Sequence, residues 1–275
     1  MVVRRNRPDA TLVVDAPGYR RFMPALMPTR NGSVVYFDQR LRVDGTERFI
    51  AGVRAEHPEL HPTLFHVVLW AMARMFARHP HINRFVAGGR LYQRDEITIA
   101  FTVKSELTEQ GTLLEVKHRF DPDQPFVDLV RALQGEVTSS RGGAQGLADR
   151  ELDLFLRLPP ALRRGVVRLA SAANARNLLP PAFIEGDPFF ASAFVTNLGS
   201  VGLDAAFHHL YEYGTIPVFG VLGRVHETVE VEDGRPVVAR TASMKFTYDE
   251  RVEDGLYAAG ALADFQAMVE HPNEA

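Results

Sequence analysis

The chain has 275 residues, 46% of them hydrophobic and 24% charged, which is the balance of a protein that buries a large core and not of a disordered one. A net charge of -3 and a pI near 6.4 exclude the broad basic field of a nucleic-acid or anionic-membrane binder. The absence of cysteine excludes disulfides, thiolate metal sites and a thiol nucleophile, so any reactive thiol belongs to a substrate.

The first 21 residues are basic but hold no apolar run ahead of their prolines, so no secretory signal is expected. From 33 to 43 the run SVVYFDQRLRV, rich in β-branched and aromatic residues and then alternating, predicts a strand after a turn at Arg30, Asn31 and Gly32. Residues 46–56 place Phe49, Ile50 and Val53 at helical spacing. Residues 63–78 do so more strongly through Leu64, Val67, Val68, Met72, Met75 and Phe76. His79-Pro80 ends that helix, because proline has no amide proton and forces its predecessor out of the α region. The most apolar stretch, 64–77, is cut by His66 and Arg74 and is shorter than the ~20 residues a bilayer crossing needs, so a cytoplasmic location is expected.

Strands are predicted over 90–93, 96–104 and 112–120, then a helix over 123–138 with Phe126, Leu129, Val130 and Leu133 on one face. The run SSRGGAQG at 139–146 reads as a loop, too short for a domain linker. Amphipathic helices follow over 147–157 and 160–179, bounded by Pro159-Pro160 and Pro180-Pro181. Arg157, Arg163, Arg164, Arg168 and Arg176 punctuate them. With no basic field in support, packing on the sheet or a partner subunit is favoured over contact with a membrane surface. Strands over 191–196, 218–231 and 237–248 and a helix over 256–269 complete the chain. Such a mixture, with few strict β-helix-β units, favours an α/β fold built on an open mixed sheet covered by helices.

Three stretches in order carry a resemblance. Arg20-Arg21 leads into the first strand; the helix over 63–78 ends in HPHINRF (79–85); and FVTNLGSVGLD (194–204), PVFGVLG (217–223) and KFTYDERVEDG (245–255) follow. Together they resemble the catalytic domain of the acyltransferase component of 2-oxoacid dehydrogenase complexes, whose fold is that of chloramphenicol acetyltransferase. The early match is the weakest, because Pro24 and Pro28 interrupt the family's opening helix. The resemblance implies a two-layer sandwich with a mixed sheet over residues 20–275, preceded by an N-terminal extension at 1–19 and carrying 147–180 as an extra amphipathic segment. It also implies a homotrimer with active sites at subunit boundaries. No room is left for a lipoyl module, so a lipoyl group is not expected on this chain and an acyl carrier would act in trans. The apolar tail through which relatives build cages has no counterpart in residues 270–275, so a trimer is the expected species.

In the family the signature His-Arg-x-x-Asp-Gly supplies a histidine that takes a proton from coenzyme A or dihydrolipoamide. Here Glu250 stands in that place. An imidazole near pKa 6.5 is within ~2 units of a thiol near 8.5, whereas a solvated carboxylate near 4.3 is poorer by about two units, roughly 3 kcal/mol of driving force. Asp249 and Glu253 would raise that pKa and Arg251 would lower it. Thr196 matches the family's oxyanion-donating hydroxyl, or else it is a strand-end residue satisfying backbone groups. Asp254 matches the aspartate that pairs with an arginine, here Arg20 or Arg21, and holds the loop.

His208 and His209 could supply an imidazole or, with Glu212 or Glu250, a metal site. The plainer reading is an interface or core pair, since neighbours on a strand face opposite ways. His118 is expected at an exposed strand end. Two functions follow. One is a coenzyme A-dependent acyltransferase whose chemistry is lost or altered by Glu250. The other is a non-catalytic homotrimeric scaffold or module binding an acyl carrier or a pantetheine compound.

Overall fold

The computed structural model describes residues 7–104, 113–141 and 156–274. A six-stranded mixed sheet forms its centre, from β2 (Val34–Arg42), β5 (Thr98–Lys104), β6 (Leu113–Arg119), β7 (Ala193–Asn197), β8 (Val218–Glu232) and β9 (Arg235–Asp249), in the order β2-β9-β8-β7-β5-β6. β7 runs parallel to both β5 and β8; the other pairings are antiparallel. A separate antiparallel sheet joins β1 (Ala10–Leu12), β4 (Arg90–Arg94) and β3 (Arg84–Ala87) in the order β1-β4-β3. The stretch set apart as an N-terminal extension thus contributes β1. Three residues carry too short a pattern to announce a strand, and the pairing with β4 makes it one.

Side-chain alternation divides the large sheet into two faces. Ala193, Val195, Leu222, Met244 and Phe246 point to one, together with the apolar sides of α2 (Asp44–Glu56), α3 (Leu64–Arg78), α4 (Phe126–Arg141) and α7 (Gly255–Glu270). α3 lies deepest and buries an unbroken run from Val67 to Ala73 as well as Met75 and Phe76. That explains why it is apolar nearly all round and still not a membrane helix. Among the described residues no helix is long and apolar enough to cross a membrane.

Ala100, Phe194, Phe219 and Val221 point to the other face, where the non-regular segment 204–217 covers them through Ala205, Leu210 and Ile216. Arg30 holds this segment down. Its buried guanidinium donates to the carbonyls of Ile216 at 2.9 Å and Gly214 at 2.8 Å, and Glu212 returns the contact by accepting from the amides of Arg30 and Asn31 at 3.0 Å each. Gly214 has φ +84°, and a Cβ there would stand 2.2 Å from the Phe189 carbonyl oxygen, so only glycine fits.

α1 (Gly18–Leu26) forms in spite of Pro24, which sits far enough from its start to cost one hydrogen bond in a helix of nine residues. The helix expected at 123–138 runs on to Arg141, so 139–141 are helical, and the rest of the expected loop lies outside the described residues. Most of the helix expected at 147–157 lies outside them too. α5 (Pro160–Ala175) is present and buries none of its residues in this chain, with Leu162 and Leu169 exposed, and the short α6 (Pro181–Gly186) follows it.

Candidate active site

Glu250 follows β9 directly, and its backbone is fixed from two sides. Its amide donates to the Ser33 carbonyl at 3.0 Å, and its carbonyl accepts from Arg20 Nη1 at 2.7 Å. The neighbouring charges are paired with each other. Asp249 and Arg251, 0% and 4% exposed, form a two-pronged ion pair, Nε to Oδ1 at 2.8 Å and Nη2 to Oδ2 at 2.7 Å. Arg251 also donates to the Met27 carbonyl at 3.0 Å, and Ser33 Oγ to Asp249 Oδ1 at 3.2 Å. The Arg251 guanidinium is thus turned to Asp249 and the Met27 carbonyl.

Arg20 is the arginine that meets the signature loop. Its Nη2 lies 3.2 Å from Glu253 Oε1 and 3.8 Å from Asp254 Oδ2, so Glu253 is its nearer partner. Arg21 is exposed, because α1 turns Arg20 inward and its neighbour about 100° away. Glu253 also takes His81 Nδ1 at 2.9 Å and Arg84 Nη1 at 3.1 Å, which joins the HPHIN turn to the signature loop. Sequence gave no sign of this, since Glu253 occupies a position the signature leaves free. Asp254 has a second task as the N-cap of α7, accepting from the Tyr257 amide at 3.0 Å.

Thr196 is near the end of β7, on the face of Phe194, with its hydroxyl 3.1 Å from that of Thr102 on β5. If Thr102 donates, the Thr196 proton is free for a ligand. The following loop is tightly built: Asn197 Oδ1 accepts from the Ser200 amide at 3.1 Å, and a Cβ on Gly199 would stand 2.5 Å from the Gly223 carbonyl oxygen.

Within one chain Thr196 and Glu250 are far apart. Thr196 stands opposite Val221, and Val221 opposite Lys245, so Asp249 is four residues further along β9. That is about 13 Å along the strands and about 10 Å across two strand spacings. The oxyanion candidate and the residue in the base position therefore sit on different strands of the sheet, too far apart within one chain to act on the same atom.

His208 and His209 lie in the non-regular segment, not on a strand, so their rings stack on each other at 4.5 Å and do not face opposite ways. His208 also stacks on Phe219 at 4.0 Å, and this burial lowers its pKa. Glu212 is turned to Arg30 and Asn31, and no cluster of three or more metal-ligating side chains occurs among the described residues. His118 is not at an exposed strand end either; α4 covers it, Glu136 meets its Nδ1 at 2.7 Å, and Phe120 packs edge-on at 4.7 Å.

Where β5 and β7 end side by side, a cavity of about 330 Å³ opens between them, α3 and α4. Phe65, Leu69, Phe101, Leu133 and Val137 line it, with His66 as a titratable group on its wall. Thr196 and Asn197 border it from β7. His66 escaped the sequence reading as a site residue, although Thr63-x-x-His66 is a helix-start pattern that announces a side chain folded back on its own N-cap.

Residues 161–275 match the family described as 2-oxoacid dehydrogenases acyltransferase (catalytic domain). The dihydrolipoyllysine-residue acetyltransferase component of the pyruvate dehydrogenase complex of Bacillus subtilis (strain 168) is 31% identical over 94 residues, 34% of this chain and 20% of that protein. The chain thus matches about a fifth of the length of this curated relative. Among solved structures, a probable dihydrolipoamide acetyltransferase from Listeria monocytogenes 4b F2365 aligns with TM-score 0.62 and 16% identity over 94% of both chains. The cubic core of the pyruvate dehydrogenase multienzyme complex aligns with 0.63 and 16% over 96% of this chain and 94% of that one. A chloramphenicol acetyltransferase aligns with 0.53 and 11% over 94% and 99%. At these identities the structural likeness is one of fold.

Proposed function

We propose, from the match of residues 161–275 to the 2-oxoacid dehydrogenase acyltransferase family and the fold shared with dihydrolipoamide acetyltransferase, a homotrimeric acyltransferase-type protein of that family whose coenzyme A-dependent transfer is lost or much slowed. In this reading each site is completed by two copies, Thr196 of one facing Glu250 of the next. The observation that carries it is the separation of those two residues by two strand spacings and four residues of register within one chain, beside a signature loop kept in place by Arg20, Glu253 and the Asp249–Arg251 pair.

In this reading the chain supplies the oxyanion donor and the signature loop but not the imidazole. The Thr196 hydroxyl would donate to the oxygen of a thioester as it gains negative charge. Glu250 would have to take the thiol proton, a task to which a carboxylate is ill matched by about two pKa units. Coenzyme A and dihydrolipoamide are the thiols to test, with any acyl carrier supplied in trans.

Thiol release from acetyl-coenzyme A with dihydrolipoamide as acceptor is expected near background for the wild type. It should rise in Glu250→His by about 10²-fold, the lower end of what a positioned base contributes. Wild-type turnover abolished by Glu250→Gln would make the carboxylate a working base and overturn the degenerate-site reading. Rates at background in both wild type and Glu250→His favour the non-catalytic scaffold.

A further inference from the structure

A second cavity, of about 500 Å³, opens at the start of β5, between the end of β4, β6, α6 and the residues that lead into β1. Thr98, Lys117, Ile184 and Phe190 stand on its wall, and neither Thr102 nor Thr196 lines it. Thr98 is the first residue of β5, so the cavity begins four residues, about 13 Å, from Thr102.

Lys117 is the reactive group on that wall. Of the 31 lysines and arginines in the chain, only Lys104, Lys117 and Lys245 are lysines. An arginine keeps its charge at any pH at which a protein is folded, whereas a lysine can give up its proton. Lys117 Nζ donates to the carbonyls of Ile184 at 2.7 Å and Asp187 at 3.2 Å, and among the described residues no carboxylate lies within ion-pair distance of it. A neutral amine has two N–H groups, and those carbonyls use both, which leaves its lone pair in the remaining tetrahedral direction. Burial and the Arg94 guanidinium lower its pKa from 10.5 to about 8, against an opposite pull from Asp187, Asp9 and Glu185. A desolvated lysine beside a second cation is one of the ways in which an amine nucleophile is activated.

The charges around the cavity set the kind of electrophile. Asp9, Asp95, Glu96 and Glu185 outnumber the cations of the wall, and Arg94 and Arg119 are held by Asp9 at 3.3 Å and Glu96 at 2.9 Å. A carboxylate or phosphate would therefore meet no unpaired cation except the amine, which must be neutral to react. Ile184 and Phe190 leave an apolar side for a short chain.

We propose that Lys117 forms an imine with a small uncharged aldehyde held in this cavity. The Nζ lone pair attacks the carbonyl carbon and the C=O π pair moves to oxygen. The carbinolamine then loses that oxygen as water, which carries away the two protons given up by nitrogen. Protonated from solvent, the imine keeps one N–H for one of the two backbone carbonyls. The reaction uses neither Glu250 nor a thioester, so it stands apart from acyl transfer.

Reductive trapping on the full chain tests this. Butanal and glyoxylate are each offered with cyanoborohydride, and the adducts are located by peptide mass mapping. With butanal at pH 8, Lys117 should be labelled at least about tenfold faster than Lys245, whose amine lies 3.7 Å from Asp38, and its labelling should be half-maximal near pH 8. With glyoxylate, which brings a carboxylate, the preference for Lys117 over Lys245 should fall severalfold. Glu185→Arg, at an exposed position on the wall, should restore it by offering that carboxylate a partner. Lys117→Arg keeps the charge and the donors to both carbonyls, and should remove the fast phase of labelling at an unchanged urea midpoint. Butanal labelling of Lys117 no faster than of Lys245, a fast phase that survives in Lys117→Arg, or a glyoxylate preference indifferent to Glu185→Arg overturns the proposal.

Discussion

Asp249→Ala is expected to lower the stability by about 3–5 kcal/mol, because it leaves the Arg251 guanidinium buried and unpaired where it now has a two-pronged partner. The loss should also loosen the approach to β2, since Asp249 Oδ1 holds Ser33 and Arg251 holds the Met27 carbonyl. Urea unfolding at pH 7 measures it through a lower midpoint at unchanged slope. The double variant Asp249→Leu with Arg251→Met should recover most of the loss, because removing both charges also removes their desolvation cost. A single variant within about 1 kcal/mol of wild type would show that the pair does not stay dry.

The second large effect is an acid weakness from His66. Its folded pKa is lowered from 6.5 to about 4 by burial. Above pH 6.5 the ring is neutral in both folded and unfolded chains and contributes nothing to their difference. As pH falls from 6.5 towards 4, only the unfolded chain gains the proton, so stability drops, and below 4 the penalty is constant. At 1.36 kcal/mol per unit the full drop is roughly 3 kcal/mol. His66→Gln, which keeps the N-cap contact, should lack this component. Urea midpoints at pH 7 and pH 4 for both proteins test it, and parallel losses in the two would remove His66 as the source.

The fold was legible because α3, β2, β8, β9 and α7 each carry a long run of one period, and the ordered motifs at 194–204, 217–223 and 245–255 fix their sequence along the chain. β1 and the cover formed by 204–217 were not, because three paired residues and a non-regular segment have no period to read. The candidate site could be read from the sequence only as a proposed set of residues, not as a geometry. Glu250 and Thr196 are named by local motifs, whereas their separation follows from strand order and register, which local sequence does not encode. The partners of the loop were equally hidden. Arg251 prefers Asp249 to Glu250, and Glu253 gathers Arg20, His81 and Arg84, contacts between segments remote in sequence. His66 was read as an interruption in an apolar helix, and only the cavity beside it gives the ring something to face.

The pairing of β2 with the last strand also sets a timetable for synthesis. Residues 34–42 find their partners at 241–249, so β2 leaves the ribosome about 200 residues before β9 exists. At roughly 5–20 residues per second that is a wait of about 10–40 s, during which α2 and α3 also lack α7, which follows β9 in the chain. A nascent chain in that interval displays an unpaired strand and the most apolar helix of the protein, the kind of surface that holdase chaperones bind. A topology that closes the sheet with its final strand thus makes production of the protein depend on what shields it while it is unfinished.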